Sequence, residues 1–145
     1  MSARKSFVYL IRRDGPAPRV LVLDSLDEPG LEVPKGSVEL GEAFSEAAAR
    51  EVREEAGIDG IRIVRQLGTT WYEDEEQCFL LAEAPDGLPE AFEHTVTGEG
   101  ADAGFRYIFH WEAIDRDLTR KLVQGCGTFV DPLIAEVSRS EHSIH

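Results

Sequence analysis

The amphipathic helix that follows the first β-rich runs constrains this chain most. From Phe44 to Gly57 the sequence reads FSEAAAREVREEAG. Stepped at about 100° per residue, Val52, Ala48, Ala49 and Ala56 fall on one side, with Phe44 toward its edge. That side needs an apolar surface to cover it. Gly57 is a good residue to end the helix. The start is less sharply marked: Ala43 offers no capping oxygen, although Glu46 three positions later can accept from the freed amides.

Strands supply the surface. Ser6 to Arg13 (SFVYLIRR) and Arg19 to Ser25 (RVLVLDS) bracket Asp14-Gly15-Pro16 and read as a hairpin. Leu26 to Gly36 is loop-like, broken by Pro29-Gly30 and Pro34, with a short strand at Leu31 to Val33. Ile61 to Trp71 and Gln77 to Glu83 read as two strands joined through the acidic turn Glu73 to Glu76, and Gly104 to Trp111 as another. Between them Glu90 to Ala103 is polar enough to be a long surface loop. Asp131-Pro132 has the form of a cap and a first-turn proline ahead of an amphipathic terminal helix carrying Leu133, Ile134 and Val137. The tail Ser138 to His145 is expected to fray. The pattern predicts an α/β (α+β) fold with a mostly antiparallel or mixed sheet.

With 42% hydrophobic and 30% charged residues, the whole chain, 1–145, is expected to form one domain. No run approaches the roughly 18 apolar residues of a membrane span. The start, MSARKSFVYLIRR, has no long apolar stretch with a cleavage site. A membrane protein or a secreted one is therefore not expected, and a cytoplasmic location is the default. Cys78 and Cys126 lie far apart without metal-ligand spacing and are read as small buried hydrophobes. A net charge of −13 argues against long nucleic acid as a partner, because affinity for a phosphate backbone comes mostly from Lys and Arg. A small phosphate compound would need local cations or a bound metal to enter.

The acids of the helix raise the question of function. Glu51, Glu54 and Glu55 fall within an arc of about 100° beside the core face, with small Ala47 sharing that arc. Like charges at these spacings repel, and carboxylates in a last turn oppose the helix dipole by roughly 0.3–1 kcal/mol each. One reading is a solvated face softened by Glu46–Arg50 and Arg50–Glu54 pairing. The other is an oxygen-rich site for Mg²⁺ or Mn²⁺.

The wider pattern runs from Gly36 to Glu42 and on to Arg50-Glu51-Val52-Arg53-Glu54-Glu55-Ala56-Gly57-Ile58, and it resembles the signature of the Nudix hydrolase family at every fixed position. The resemblance implies an α/β/α sandwich with a mixed central sheet and a loop–helix–loop catalytic motif. It implies that Glu51, Glu54 and Glu55, with the Gly36 carbonyl, hold the metal, that Arg50 orients those acids, and that Glu42 supports them. The implied chemistry is hydrolysis of a diphosphate bond in a nucleoside diphosphate linked to some group X. A non-catalytic sensor on the same fold and removal of pyrophosphate from RNA 5′ ends are the alternatives.

Other residues are less determined. Lys35, in Leu31-Glu32-Val33-Pro34-Lys35-Gly36, resembles the phosphate-holding lysine of the Nudix branches that hydrolyse dinucleoside polyphosphates and inositol pyrophosphates. Those branches commonly carry an aromatic where this chain has Leu31. Arg106 either contacts phosphate or lies on an exposed strand face. Trp71, Tyr72 and Phe105 are expected to fill the core or cap sheet edges, with base stacking as the other reading. Glu93, Glu99 and Asp102 are candidates for a general base, each more readily explained as a loop-solubilising acid. His94 is expected to be a surface or packing residue. A monomer and a homodimer are both open.

Overall fold

The computed structural model describes residues 3–142. The hairpin read from the sequence is present: β1 (Ala3–Arg12) and β2 (Arg19–Asp24) pair antiparallel, with Ile11 opposite Val20. On its other side β1 runs parallel to β6 (Glu75–Glu83), in register from Ala3 opposite Glu75 to Ile11 opposite Glu83. β5 (Arg62–Tyr72) lies antiparallel on β6. β8 (Arg106–Ala113) lies on β2, and β7 (Ala91–Thr95) on β8. The order is β5-β6-β1-β2-β8-β7, with β3 (Leu31–Glu32) on β2 and β4 (Lys35–Ser37) on β1. The parallel β1–β6 pair makes the sheet mixed.

Strand side chains alternate between faces, so the run FVYLI of β1 feeds two cores. Phe7, Tyr9 and Ile11 pack with Val22, Phe79 and with Leu133 and Val137 of α3 (Val130–His142). Val8 and Leu10 pack with Leu21, Leu80 and with Ala48, Val52 and Ala56 of α1 (Phe44–Ala56). A strand covered on both faces reads as continuously apolar rather than alternating. The short α2 (Leu118–Lys121) contributes Leu118 to the α3 side. The result is helix, sheet and helix in three layers. Among the described residues no helix is long and apolar enough to cross a membrane.

Four local expectations change. Glu90 to Ala103 is not all loop, since β7 occupies Ala91–Thr95 and its Phe92 stacks on Phe109 of β8 at 5.0 Å. An edge strand with one wet face can be as polar as a loop, which is why its composition misleads. β4 is short, and Pro34 obscures it, but the Pro34 carbonyl accepts from Val8 N–H at 2.9 Å and ties the segment to β1. Trp71, Tyr72 and Phe105 fill no core and are all exposed. α3 starts at Val130, which puts Asp131 in the first turn, and it continues to His142 through the segment expected to fray. Residues 143–145 of that tail lie outside the described residues.

Tyr9 fastens the α3 layer to the sheet. Its buried hydroxyl donates to the Cys126 carbonyl at 2.6 Å and accepts from Phe129 N–H at 3.3 Å. Tyr9→Phe strands both backbone groups in the interior, where an unsatisfied polar group costs about 1–3 kcal/mol. Urea unfolding is expected to show a loss of that size; an unchanged midpoint would mean that water or a shift of the Cys126 turn replaces the hydroxyl.

Candidate functional site

α1 is held by its apolar stripe, and its ends are fixed locally. Glu46 Oε1 accepts from Ala43 N–H at 2.8 Å, while Ala43 itself has no side-chain acceptor to offer. Gly57 closes the helix in the left-handed conformation, φ 71°. The roll of the helix differs slightly from the ideal projection. Ala47, expected on the open acidic side, is fully buried, and Ala49, expected in the core, is only half-buried. β4 packs against the acidic side. Glu51 and Glu55 are consequently buried and Glu54 half-buried.

Arg50 gathers the acids. Its Nε and Nη2 donate to the two oxygens of Glu42 at 2.9 and 3.0 Å, a bidentate pair. Nη1 donates to Glu51 Oε1 at 2.9 Å and to Glu54 Oε1 at 3.1 Å, and Nη2 also reaches the Ser37 carbonyl at 2.8 Å. The Arg50–Glu54 pair read from helix spacing therefore forms. The Glu46–Arg50 pair does not, because Glu46 is used at the helix start. Hydrogen bonding to Glu42 first, and to Glu51 next, lifts the guanidinium pKa above its already high range, and the same contact lowers that of Glu42.

The remaining charge is less well answered. Burial, opposed by the Arg50 bond, leaves the Glu51 pKa pushed up to about 7. Burial and a hydrogen bond with Asp102 push Glu55 up to about 9, against the lowering effect of Lys35 N–H, which donates to Glu55 Oε1 at 3.1 Å. Gly36 lies directly on Glu51: a Cβ built there would stand 2.0 Å from the carboxyl carbon. Among the described residues no three His, Cys, Asp or Glu side chains are already gathered as metal ligands. Arg50 occupies one oxygen each of Glu51 and Glu54. What remains is an all-oxygen donor set, short of positive charge and pressed against a residue without a side chain, which fits a small hard cation.

The other sequence candidates divide. Lys35 Nζ pairs with Glu32, and although burial works against its charge, that bond keeps its pKa raised. Arg106 is exposed on β8, 3.7 Å from Glu93 on β7, so these two meet each other. Glu99 is exposed. Asp102 alone of the loop acids reaches the box, touching Glu55 and accepting from Tyr107 Oη at 3.4 Å. The loop that brings it is anchored where Thr97 N–H donates to the Glu54 carbonyl at 3.0 Å. His94 packs on Gly57, and its buried Nε2 has no hydrogen-bond partner among the described residues. Sequence spacing had no signal for the Ser37 carbonyl or for Thr97.

The family model for the NUDIX domain matches residues 1–122. The protein named Nudix hydrolase 16, mitochondrial, of Arabidopsis thaliana is 42% identical over 77 residues, which is 53% of this chain and 41% of that protein. The chain thus spans about two-fifths of that relative. Among solved structures, the C. elegans Ap4A hydrolase superposes with a TM-score of 0.67 at 20% identity, covering 94% of this chain and 98% of that one. A mutT/nudix family protein from Listeria innocua gives 0.66 at 15% identity, with 97% and 96% covered. At those identities the shared property is the fold.

A pH prediction follows from the buried acids. Glu51 and Glu55 keep their protons in the folded chain after the unfolded chain has released them, so metal-free stability falls as pH rises from the usual carboxylate range toward 9. Glu55→Gln keeps the oxygen that Lys35 N–H uses and removes the larger share of the slope. Urea midpoints from pH 5 to 9 in EDTA are expected to decline in the parent and stay flatter in the variant. Parallel profiles would show that Glu55 titrates normally.

Proposed function

Because this chain belongs to the Nudix family, we propose that it hydrolyses a diphosphate bond in a nucleoside diphosphate linked to a second group X, with Mg²⁺ or Mn²⁺ as cofactor. The observation that carries this reading is the convergence of Glu42, Glu51 and Glu54 on one guanidinium beside the buried Glu55 and the bare backbone of Gly36. Glu51, Glu54, Glu55 and the Gly36 carbonyl would hold the cation. When bound, it would neutralise phosphate oxygens and lower the pKa of a bound water.

The chain's own groups have separable tasks. Arg50 fixes the carboxylates of Glu51 and Glu54 by one oxygen each and leaves the other oxygen of each outside its grip. The Lys35 backbone fixes Glu55, and its ammonium supplies local positive charge for a phosphate in a chain that is otherwise strongly acidic. Asp102 is the base candidate that geometry favours over Glu93 and Glu99, because it shares a hydrogen bond with Glu55 and can take a proton from the attacking water within that pair. Arg106, held toward Glu93, has no comparable support as a phosphate contact.

The Pro34-Lys35-Gly36 approach and the fold shared with an Ap4A hydrolase support dinucleoside polyphosphates as the first compounds to try, with nucleoside triphosphates next. A panel of these, ADP-ribose and nucleotide sugars, assayed for phosphate-ester products with Mg²⁺ and with Mn²⁺, tests the reading. Hydrolysis of at least one is expected. Tight binding without turnover of any would favour a sensor. In the same assay Glu54→Gln is expected to lower activity about 100-fold or more while the fold survives, because the substitution keeps size and helix propensity. Full activity in that variant would remove Glu54 from the site.

A further inference from the structure

The loop that follows β7 is closed on itself and docked on α1. Val96 N–H donates to the Phe105 carbonyl at 2.8 Å and Gly104 N–H to the Val96 carbonyl at 2.9 Å, so residues 97–103 leave and return through a hydrogen-bonded base. Val96 at that base is buried. Thr97 N–H ties the start of the excursion to the Glu54 carbonyl at 3.0 Å. Beside this anchor Gly98 lies on the carboxyl of the same glutamate: a Cβ built there would stand 2.6 Å from the carboxyl carbon and 2.7 and 2.8 Å from its oxygens. Gly98 thus stands to Glu54 as Gly36 stands to Glu51. Each is bare backbone laid on an acid that Arg50 also holds.

Two demands for glycine meet at this position, and the loop itself separates them. The first is conformation, since φ at Gly98 is 91°, where a side chain is strained. Gly104, at the end of the same loop, has a φ of 89°, and nothing lies within 4 Å of a Cβ built there. The second demand, contact with Glu54, therefore belongs to Gly98 and not to Gly104. An added methyl at Gly98 must displace either the loop or the carboxyl. The loop is held by backbone hydrogen bonds at its base and at Thr97, whereas the carboxyl ends a flexible side chain secured through Arg50 Nη1 at 3.1 Å. The carboxyl is the part that gives way.

Resting on the hydrolase reading above, we propose that Gly98 is a positioning residue for the cation site: the space left by its missing side chain keeps the Glu54 carboxyl on Arg50, beside that of Glu51. It acts through Glu54. A side chain at this position therefore weakens the cation site and slows the chemical step, with little effect on the affinity for substrate.

Gly98→Ala and Gly104→Ala form a matched pair for the test, made in the full chain and compared with the parent. Three properties are measured: the crystal structure of the metal-free protein, the dissociation constant for Mn²⁺ without substrate, and kcat and KM in saturating Mg²⁺ on the best compound of the panel. In Gly98→Ala the Glu54 carboxyl is expected off Arg50 Nη1, with Mn²⁺ affinity and kcat both lowered about tenfold or more and KM close to that of the parent. Gly104→Ala is expected to stay close to the parent in all three. Gly98→Asn, which tolerates a positive φ more readily and still adds the Cβ, is expected to match Gly98→Ala. Mn²⁺ affinity unchanged in Gly98→Ala, or an equal loss in Gly104→Ala, overturns the proposal and leaves hydrolysis standing. A parent that binds Mn²⁺ but cleaves no compound of the panel removes the hydrolase reading alone, because the Mn²⁺ constants and the position of Glu54 still decide the role of Gly98. A parent that binds no Mn²⁺ overturns both.

Discussion

One guanidinium gathers Glu42, Glu51 and Glu54, and the arrangement of the site depends on it. Arg50 holds Glu42 by both oxygens, Glu51 and Glu54 by one oxygen each, and the Ser37 carbonyl as well, with Glu39 at 3.6 Å. The planar fork of arginine can do this, while the point charge of a lysine cannot. Through Ser37 the same side chain ties α1 to β4, and β4 is what brings Gly36 against Glu51 and the Lys35 amide against Glu55. Helix, loop and strand are thus joined through one residue, and the acidic arc keeps its shape although its members repel.

Arg50 does not cancel all of that repulsion. Glu55 lies beyond its contacts, is buried, and shares a hydrogen bond with Asp102, a second acid arriving from a distant loop. Two carboxyl groups in contact away from water are stable only if they share a proton or gain a cation. The metal-free fold takes the first course, which is the physical meaning of a pKa near 9. A divalent ion would supply the second. The crowding of acids at the end of α1 and the cation site proposed there are therefore two aspects of one arrangement.

Local chemistry made part of this legible in the sequence. The helix period placed Glu51, Glu54 and Glu55 on one arc, Gly57 marked the end of α1, and Arg50–Glu54 followed from spacing. The apolar run in β1 announced a strand, and the turn residues before β2 announced a hairpin. The features missed are those set by parts of the chain far apart in sequence. Asp102 could not be separated from Glu93 and Glu99 until the loop after β7 was anchored on the Glu54 carbonyl. For Arg106 the sequence left phosphate contact and an exposed strand face open, and the side chain lies exposed on β8, 3.7 Å from Glu93 across the β7–β8 pair. For Trp71 and Tyr72 the sequence left core and sheet edge open, and the strand order places them exposed at the end of the edge strand β5.

Whether the buried acids of α1 hold protons that a metal displaces can be read by counting protons. Calorimetric titration of Mn²⁺ into the metal-free chain at pH 7.5, in two buffers of different ionisation enthalpy, gives the protons released for each ion bound, because a ligating carboxyl must give up its proton. Saturable binding is expected, with release of about one proton per ion, contributed mainly by Glu55. Binding with no proton release, or no saturable binding at all, would contradict it.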